Sequence, residues 1–525
     1  MTSKLLLFSG GLQTKIAPHL VESTKALECI NVDLDKGSIY PYGEWEASTD
    51  VATGNRPFYF DSTLITNSDA TDNRSYATFG NRLYWSNGSF TAYGLMRWNG
   101  TTGVNAVPPT VTSYGALTLT PTGSNGALNE TYAYVYTVID TDGIESIPSD
   151  VYYTTPVNQD VSITIGADTV TETVSKRRIY RTGGSNPTFN LIAELDSPTL
   201  TYTDNTRDLD VSRIELTTFD NYAPPTDLDN LIECNATMWG SVGDRVYFSR
   251  NGQPEFWNPL DYVVLNEDCT GIGKFRDFVI AFTAGDAYII SGYTRDNIAI
   301  EKLPYNEGCL NHRSIANVSE YLIWTSKNGV CSFDGSNIEI LTRNILSWTD
   351  RATIGDGKFD DFSYTFDADV GYLVKYALGV RGKYYAIHQN GISIINISDG
   401  VIVSNVYLEN AESLYYRYDE GTINAIDKDF NTWMFNRQIS NLEAVWKTPE
   451  IQDDGYHILK HYRRVKLDNV AESIKVTIDN KDVFTSNNVK EFYLPSGCIG
   501  RYIQFTITTT TEIRSLRYEY GVVNG

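Results

Sequence analysis

Five histidines, His19, His312, His388, His457 and His461, are the first place to look for chemistry. His457 and His461 stand four apart, a spacing that on a helix would aim both imidazoles at one metal ion. The surrounding "YHILKHYRRV" alternates as a strand and lacks the glutamate of H-E-x-x-H, so the pair reads as packing or surface residues. The six cysteines, Cys29, Cys234, Cys269, Cys309, Cys331 and Cys498, form no C-x-x-C pair and are widely spaced. They suit neither a zinc or redox motif nor a disulfide framework, and read as reduced thiols. There is no G-x-S-x-G elbow and no phosphate loop ending in Gly-Lys-Ser/Thr. Paired carboxylates for glycoside hydrolysis can come from distant segments, so with 65 Asp and Glu spacing alone does not exclude them. No repeat of the form S-x-D-x-G-x-T-W supports them. "NVDLDKGS" (31–38) and "DTDG" (140–143) place acids at alternate positions before glycine, as calcium loops do, but the twelve-residue loop with its terminal Glu is missing. Tight turns favour the same residues. The sequence therefore assigns no catalytic, cofactor-binding or metal-ligating residue, and no cofactor.

The elements that would position such groups are strands. In "TYAYVYTVID", Tyr132, Tyr134, Tyr136 and Val138 share one face, and Ala133, Val135, Thr137 and Ile139 the other. "HLVESTKALECINVDL", with Val21, Lys25 and Leu27 in a partial apolar stripe, allows one short N-terminal helix at most. Asn-Gly at 87–88, 99–100, 251–252, 328–329 and 390–391 predicts type I′ hairpin turns. Units of apolar strand, Gly- or Asn-bearing turn and apolar strand recur from Gly80, Gly243, Arg276, Ser319 and Gly382. One of them, "RDFVIAFTAGDAYIISG" (276–292), should bury Phe278 to Phe282 and Tyr288 to Ile290 and expose the turn at Ala284 to Asp286. Their repetition every roughly 35 to 60 residues predicts an all-β fold built on a β-propeller, because radial stacking buries sheets that cannot bury themselves.

Residues 107–217 lack such units. Evenly spaced strands there predict an inserted β-sandwich, and "YAPPTDLDN" (222–230) a linker back to the propeller. The expected organisation is 1–106 for an N-terminal segment and first blade, 107–217 for the sandwich, 218–443 for the remaining blades, and 444–525 for a C-terminal β region closing or packing on the propeller. Within the last, "KHYRRVK" (460–466) predicts a solvated edge strand guarded by Lys and Arg, with His461, Arg463 and Val465 on one face.

Composition sets the class of partner. The formal net charge of −23 argues against gripping nucleic-acid phosphates, which takes clustered Lys and Arg. It is compatible with a surface that DNA must slide past. The start "MTSKLLLFSGG" is too short for a signal-peptide core, and no apolar run approaches a membrane span.

"GGLQTKIAPHLVESTKALECINVDLDKGSIYPY", "RVYFSRNGQPEFWNPLDYV" with "GIGKFRDFVIAFTAGDAYIISG", and "WKTPEI" with "HILKHYRRVKLD" resemble tail nozzle proteins of short-tailed bacteriophages, also called tail tubular or DNA-stabilisation proteins. The inserted segment, with "YAYVYTVIDTDGIESIPSD", "KRRIYRT" and "LTYTDN", resembles a fibronectin type III-like domain. The resemblance implies a structural, non-enzymatic virion tail protein, made in the host bacterial cytoplasm. It implies a homohexameric ring around the DNA exit channel, retaining the genome and conducting it during ejection. The implied partners are the portal adaptor, tail fibres or spikes, and a tail tip or needle, with double-stranded DNA passing through without specific binding. The alternative is a phage receptor-binding or fibre-docking β-propeller protein; a polysaccharide-degrading propeller enzyme is the third.

Overall fold

The computed structural model describes the chain except residues 14–15, 55–56, 67–73, 87–93, 110, 171–172, 344–373, 389–390, 398–401, 407, 409, 437–441, 454, 456 and 524–525. Contacts divide it into two compact units, Met1–Asp72 with Thr270–Ile289 and Glu301–Gly525, and Asn73–Cys269 with Ile290–Ile300. The fold class is all-β. Among the described residues the helical turns are short 3-10 segments, and the expected N-terminal helix is only Pro18–Leu20 followed by a strand at Glu28–Ile30. Pro18 and the β-branched and acidic residues after it give no continuous apolar stripe to bury.

The repeating unit is a four-stranded antiparallel meander. Two lie in the second unit: Ser75–Phe79 through Gly103–Asn105, and Asp229–Cys234 through Tyr262–Val264. The third runs from Gly271–Phe275 to Ala299–Lys302, and the fourth from Ala316–Val318 to Ile338–Ile340. The fifth is Tyr376–Val380, Lys383–His388, Gly391–Asn396 and Ile402–Val406. The sixth takes Ala411–Arg417, Thr422–Asp427 and Thr432–Asn436 from one stretch of chain, and its outer strand from Glu44–Ala47. Within the first unit, the first strands of the third, fourth, fifth and sixth meanders lie side by side in that order. In the second unit the first strands of its two meanders do the same. Stacking of successive first strands is how β-propeller blades pack. It needs small residues there. A Cβ on Gly379 would meet the Asn317 carbonyl oxygen at 2.1 Å, and one on Gly273 would meet the Ile315 and Leu322 side chains.

In the stretch 276–292, Val279 to Phe282 are buried as expected, but Phe278 is partly exposed beside the turn at Arg276. Asp286 is buried rather than exposed, with Lys302 at 2.7 Å from its carboxylate. The type I′ expectation also needs correction. At Asn99-Gly100, Asn251-Gly252 and Asn328-Gly329 only the glycine has positive φ. Consecutive positive φ angles occur instead at Asp61-Ser62, Gly183-Gly184, Asn235-Ala236, Arg381-Gly382 and Asp479-Asn480. The turns at Asn87-Gly88 and Asn390 lie outside the described residues.

Residues 111–204 build two facing sheets. One has Leu117–Thr122, Asp160–Ile165 and Thr201–Asp204; the other has Tyr152–Thr154, Tyr132–Asp140, Val174–Gly183 and Asn186–Asp196. Tyr134, Tyr136 and Val138 fill the space between them with Val161, Ile163 and Ile179. The other face of the same strand is buried too, Val135 packing with Tyr180 and Leu216.

The C-terminal region joins the fifth meander in one twelve-stranded sheet. Its spine is Lys460–Ile478, nineteen residues paired with Lys481–Tyr493, Ile503–Thr509 and Ser515–Val522. "KHYRRVK" is therefore not an edge. Lys460 is fully buried, and its ammonium donates to the carbonyls of Gly455 and Arg501 at 3.2 and 2.9 Å. A register shift between Tyr462 and Arg464 puts both Tyr462 and Val465 in the core, breaking the alternation that assigned them to opposite faces. The N-terminal segment closes this region: Thr2–Leu7 pairs with Ser515–Val522, and Glu28–Ile30 with Ala444–Lys447.

His312 gives this fold a pH dependence. It is partly buried, and its Nδ1 accepts from the Ile272 amide at 3.3 Å. Burial, with a smaller contribution from Arg313, pushes its pKa down to about 4. The unfolded chain binds a proton on this group near pH 6.5 and the folded chain does not, so stability is complete above pH 6.5 and falls as pH drops toward 4. From pH 7.5 to pH 5 the expected loss is about 2 kcal/mol. In His312→Asn, whose amide oxygen can accept the same bond, that slope should flatten. Denaturant unfolding at the two pH values checks it; an unchanged slope would remove His312 as the cause.

Candidate functional site

Seven carboxylates are buried among the described residues: Asp33, Asp140, Asp204, Glu255, Asp286, Asp427 and Asp453. Each is occupied by donors. Asp204 accepts from Arg181 Nη1 at 2.6 Å and the Tyr134 hydroxyl at 2.9 Å. Glu255 accepts from the Tyr84 hydroxyl at 2.7 Å, and Asp427 from the Trp433 indole at 2.9 Å. Asp453 accepts from the Tyr518 hydroxyl. These are clamps and turn closures rather than an acid facing a nucleophile across a cleft.

The two acidic turns behave likewise. Asp33 caps the turn Leu34–Lys36 by accepting from the Asp35 amide, and Asp35 pairs with Lys383 at 2.6 Å. Asp140 Oδ1 accepts from the Asp142 and Ile144 amides at 2.8 Å each, and Asp142 pairs with Arg97. Burial raises the Asp140 carboxyl above its ordinary range. No group of three or more metal-type side chains converges among the described residues. His457 is in the turn before the spine strand and His461 lies on it, so the pair shares no helical face. The six cysteines form no disulfide among the described residues; Cys331 is buried, and burial raises its pKa.

Arg417 gathers a surface cluster in the sixth meander. It reaches Asp50 at 3.1 Å, Asp419 at 3.0 Å and Glu420 at 3.0 Å, and lies over the Tyr59 ring. Its hydrogen bond holds the Asp419 carboxyl down at about 2. The Tyr59 hydroxyl donates to Asp419 at 2.8 Å and the Tyr415 hydroxyl to Asp50 at 2.6 Å. This cluster ties the hairpin Phe58–Phe60 and Thr63–Ile65 to the meander.

One recess has a different character. After strand Arg245–Phe248 the chain turns at Asn251-Gly252, where Arg250 bridges Gln253, but no second strand follows directly. It makes a long excursion, "SRNGQPEFWNPLD", before Tyr262–Val264. Trp257 anchors that excursion: it is almost fully buried, its indole donates to the Pro254 carbonyl at 2.8 Å, and its amide to the Tyr222 carbonyl at 2.9 Å. The Arg250 amide closes the loop onto the Phe256 carbonyl at 2.8 Å. A side-open cavity of about 180 Å³ results, walled by this loop, Asp220 and the bend at Tyr293 to Arg295. By sequence, "RNGQPEFW" reads as a turn at Asn251-Gly252 running into a second apolar strand, whereas the next strand begins at Tyr262. The signal that distinguishes it is the thirteen-residue gap to the next strand, with Pro254 and Trp257 inside it.

No family model matches this chain. No curated protein matches it either. Solved structures with some likeness include Hsv2 of Kluyveromyces lactis, 8% identical, covering 53% of this chain and 70% of that one at a TM-score of 0.28. The Pan2 WD40 domain of Neurospora crassa is 8% identical, covering 70% and 89% at 0.29. Apo AztD from Citrobacter koseri is 11% identical, covering 72% and 99% at 0.25. Likeness at that level carries no argument; the fold class rests on the meanders and their packing.

Proposed function

We propose that this chain is a structural conduit protein, the nozzle of a short-tailed phage, forming a ring around a DNA exit channel and offering docking surfaces to fibres or spikes. The observation that carries the reading is the long-range pairing of strands distant in sequence. Three N-terminal strands, Thr2–Leu7, Glu28–Ile30 and Glu44–Ala47, are each built into sheets with strands from the last part of the chain. A wall that must hold against pressurised DNA needs sheets that cannot peel apart, and long-range antiparallel closure supplies that. The buried acids support the same reading, since they serve clamps and turns.

The charge fits a channel lining. Six copies at −23 each carry −138 formal charges. A lumen lined by part of them would pass DNA without sticking, because adhesion grows with every phosphate neutralised. The test is native mass spectrometry and electron microscopy of the purified protein with its portal complex. A six-fold ring with an axial channel is expected, with no retention of duplex DNA at low salt. A persistent monomer that cleaves polysaccharide, or a lumen lined mainly by Lys and Arg, would overturn the reading.

A further inference from the structure

The recess beside Trp257 is built like a recognition site, and nothing in the scaffold reading uses it. Its wall is held before any ligand arrives. Arg250 Nη1 donates to Asn221 Oδ1 at 2.9 Å and to Gln253 Oε1 at 3.2 Å, and its guanidinium lies 5.7 Å from the centre of the Phe256 ring. Arg295 Nε donates to Asp261 Oδ1 at 2.8 Å. The bend carrying Tyr293 is fixed by Asn297, whose side-chain oxygen accepts from the Tyr293 and Thr294 amides at 3.0 and 2.9 Å. Tyr293 itself is 41% exposed, an aromatic surface at the mouth.

Charge and size narrow the ligand. Arg250 and Arg295 are matched by Asp220 and Asp261, so the lining has no net formal charge to hold an anion or a cation. What it presents is a set of planar donors and acceptors around an aromatic platform. A polyhydroxylated ring meets both demands: vicinal hydroxyls pair with carboxylate and guanidinium edges, and the C–H face of the ring lies on the tyrosine. The cavity, about 180 Å³, is smaller than the roughly 300 to 1,000 Å³ of sites for drug-sized molecules, and its open side lets a chain continue outward. One sugar unit fits these limits, with the rest of a glycan in solvent.

We propose that this recess binds a neutral pyranose, free or as one unit of a larger glycan, with Tyr293 as the stacking platform and Asp220, Asp261, Arg250 and Arg295 reading its hydroxyls. The inference does not rest on the conduit reading, since a ring or a monomer could carry the same recess.

The experiment titrates the full chain with the methyl glycosides of glucose, galactose, mannose and N-acetylglucosamine, with maltotriose, and with sodium sulfate. Binding is read by calorimetry and by saturation-transfer NMR. At least one sugar should bind, more tightly than sulfate. A longer glycan binding better than the matching single ring would mark the source as a polymer; equal affinities would mark it as free sugar. Tyr293→Ala should weaken binding about tenfold, the effect of losing one aromatic contact of about 1.4 kcal/mol. Asp220→Asn should weaken it several-fold while leaving the fold intact, because Asp220 is exposed. Tyr418→Ala, which removes an exposed tyrosine of the sixth meander, should change nothing. The proposal falls if no sugar of the panel binds, if sulfate binds more tightly and displaces the sugar, or if binding survives both Tyr293→Ala and Asp220→Asn.

Discussion

Replacing Trp446 with alanine should cost about 3–5 kcal/mol and release the N-terminal strands. Trp446 is fully buried in Ala444–Lys447, a short strand held between two others. It pairs with Cys29 on one side and Ile507 on the other, and its ring meets Phe8 edge-on at 5.6 Å between centroids. Alanine would leave a cavity in the apolar cluster where Phe8, Cys29 and Ile507 surround it. Trp446→Phe should behave differently. The indole N–H is buried with no hydrogen-bond partner among the described residues, so phenylalanine loses volume but also removes an unsatisfied donor. Its cost should stay under about 1.5 kcal/mol. Hydrogen exchange in Glu28–Ile30 and Ile503–Thr509 measures the local effect, and denaturant unfolding the global one. Equal behaviour of the two variants would mean that the ring is not the closure.

Arg181→Ala should be nearly as damaging, with the effect confined to the inserted sandwich. Arg181 and Asp204 are both fully buried. The guanidinium spends Nη1 on Asp204 and on the Thr206 carbonyl at 2.9 Å, and Nη2 on Asp208 at 3.0 Å, while lying over the Tyr132 ring. Removing it leaves a buried carboxylate with no cation, which costs about 3–5 kcal/mol. Lysine should not rescue the loss, because one ammonium cannot span three acceptors in the fork that Arg181 occupies. Limited proteolysis of the full chain should show cuts between 107 and 217 in Arg181→Ala and Arg181→Lys, with the meanders of the other unit still protected. If Arg181→Lys is as resistant as the native chain, the fork geometry is not what stabilises the sandwich.

Much of the repeat was legible. Five meanders announce themselves because each carries two short apolar strands around a polar turn within one stretch of sequence. The sixth did not, since its outer strand, Glu44–Ala47, precedes its neighbour Thr432–Asn436 by most of the chain. Lys460 misled for a different reason. A lysine a few residues before two arginines belongs in water by default, and only the carbonyls of Gly455 and Arg501, brought in by the fold, make its burial tolerable. The recess was hidden behind a motif that looks like a blade turn, because its anchor, Trp257, reaches its partner at Tyr222 across an intervening meander strand set.

The sequence by itself determined the all-β class, the strand character of residues 111–204 and the acidic balance, because period-two alternation, turn residues and charge are local quantities. Tertiary structure alone decided which strand becomes the spine, which chain ends close which sheets, and which acids are caged by cations and hydroxyls. Alternation tells a strand which face to bury, but its neighbour and register come from packing against segments hundreds of residues away.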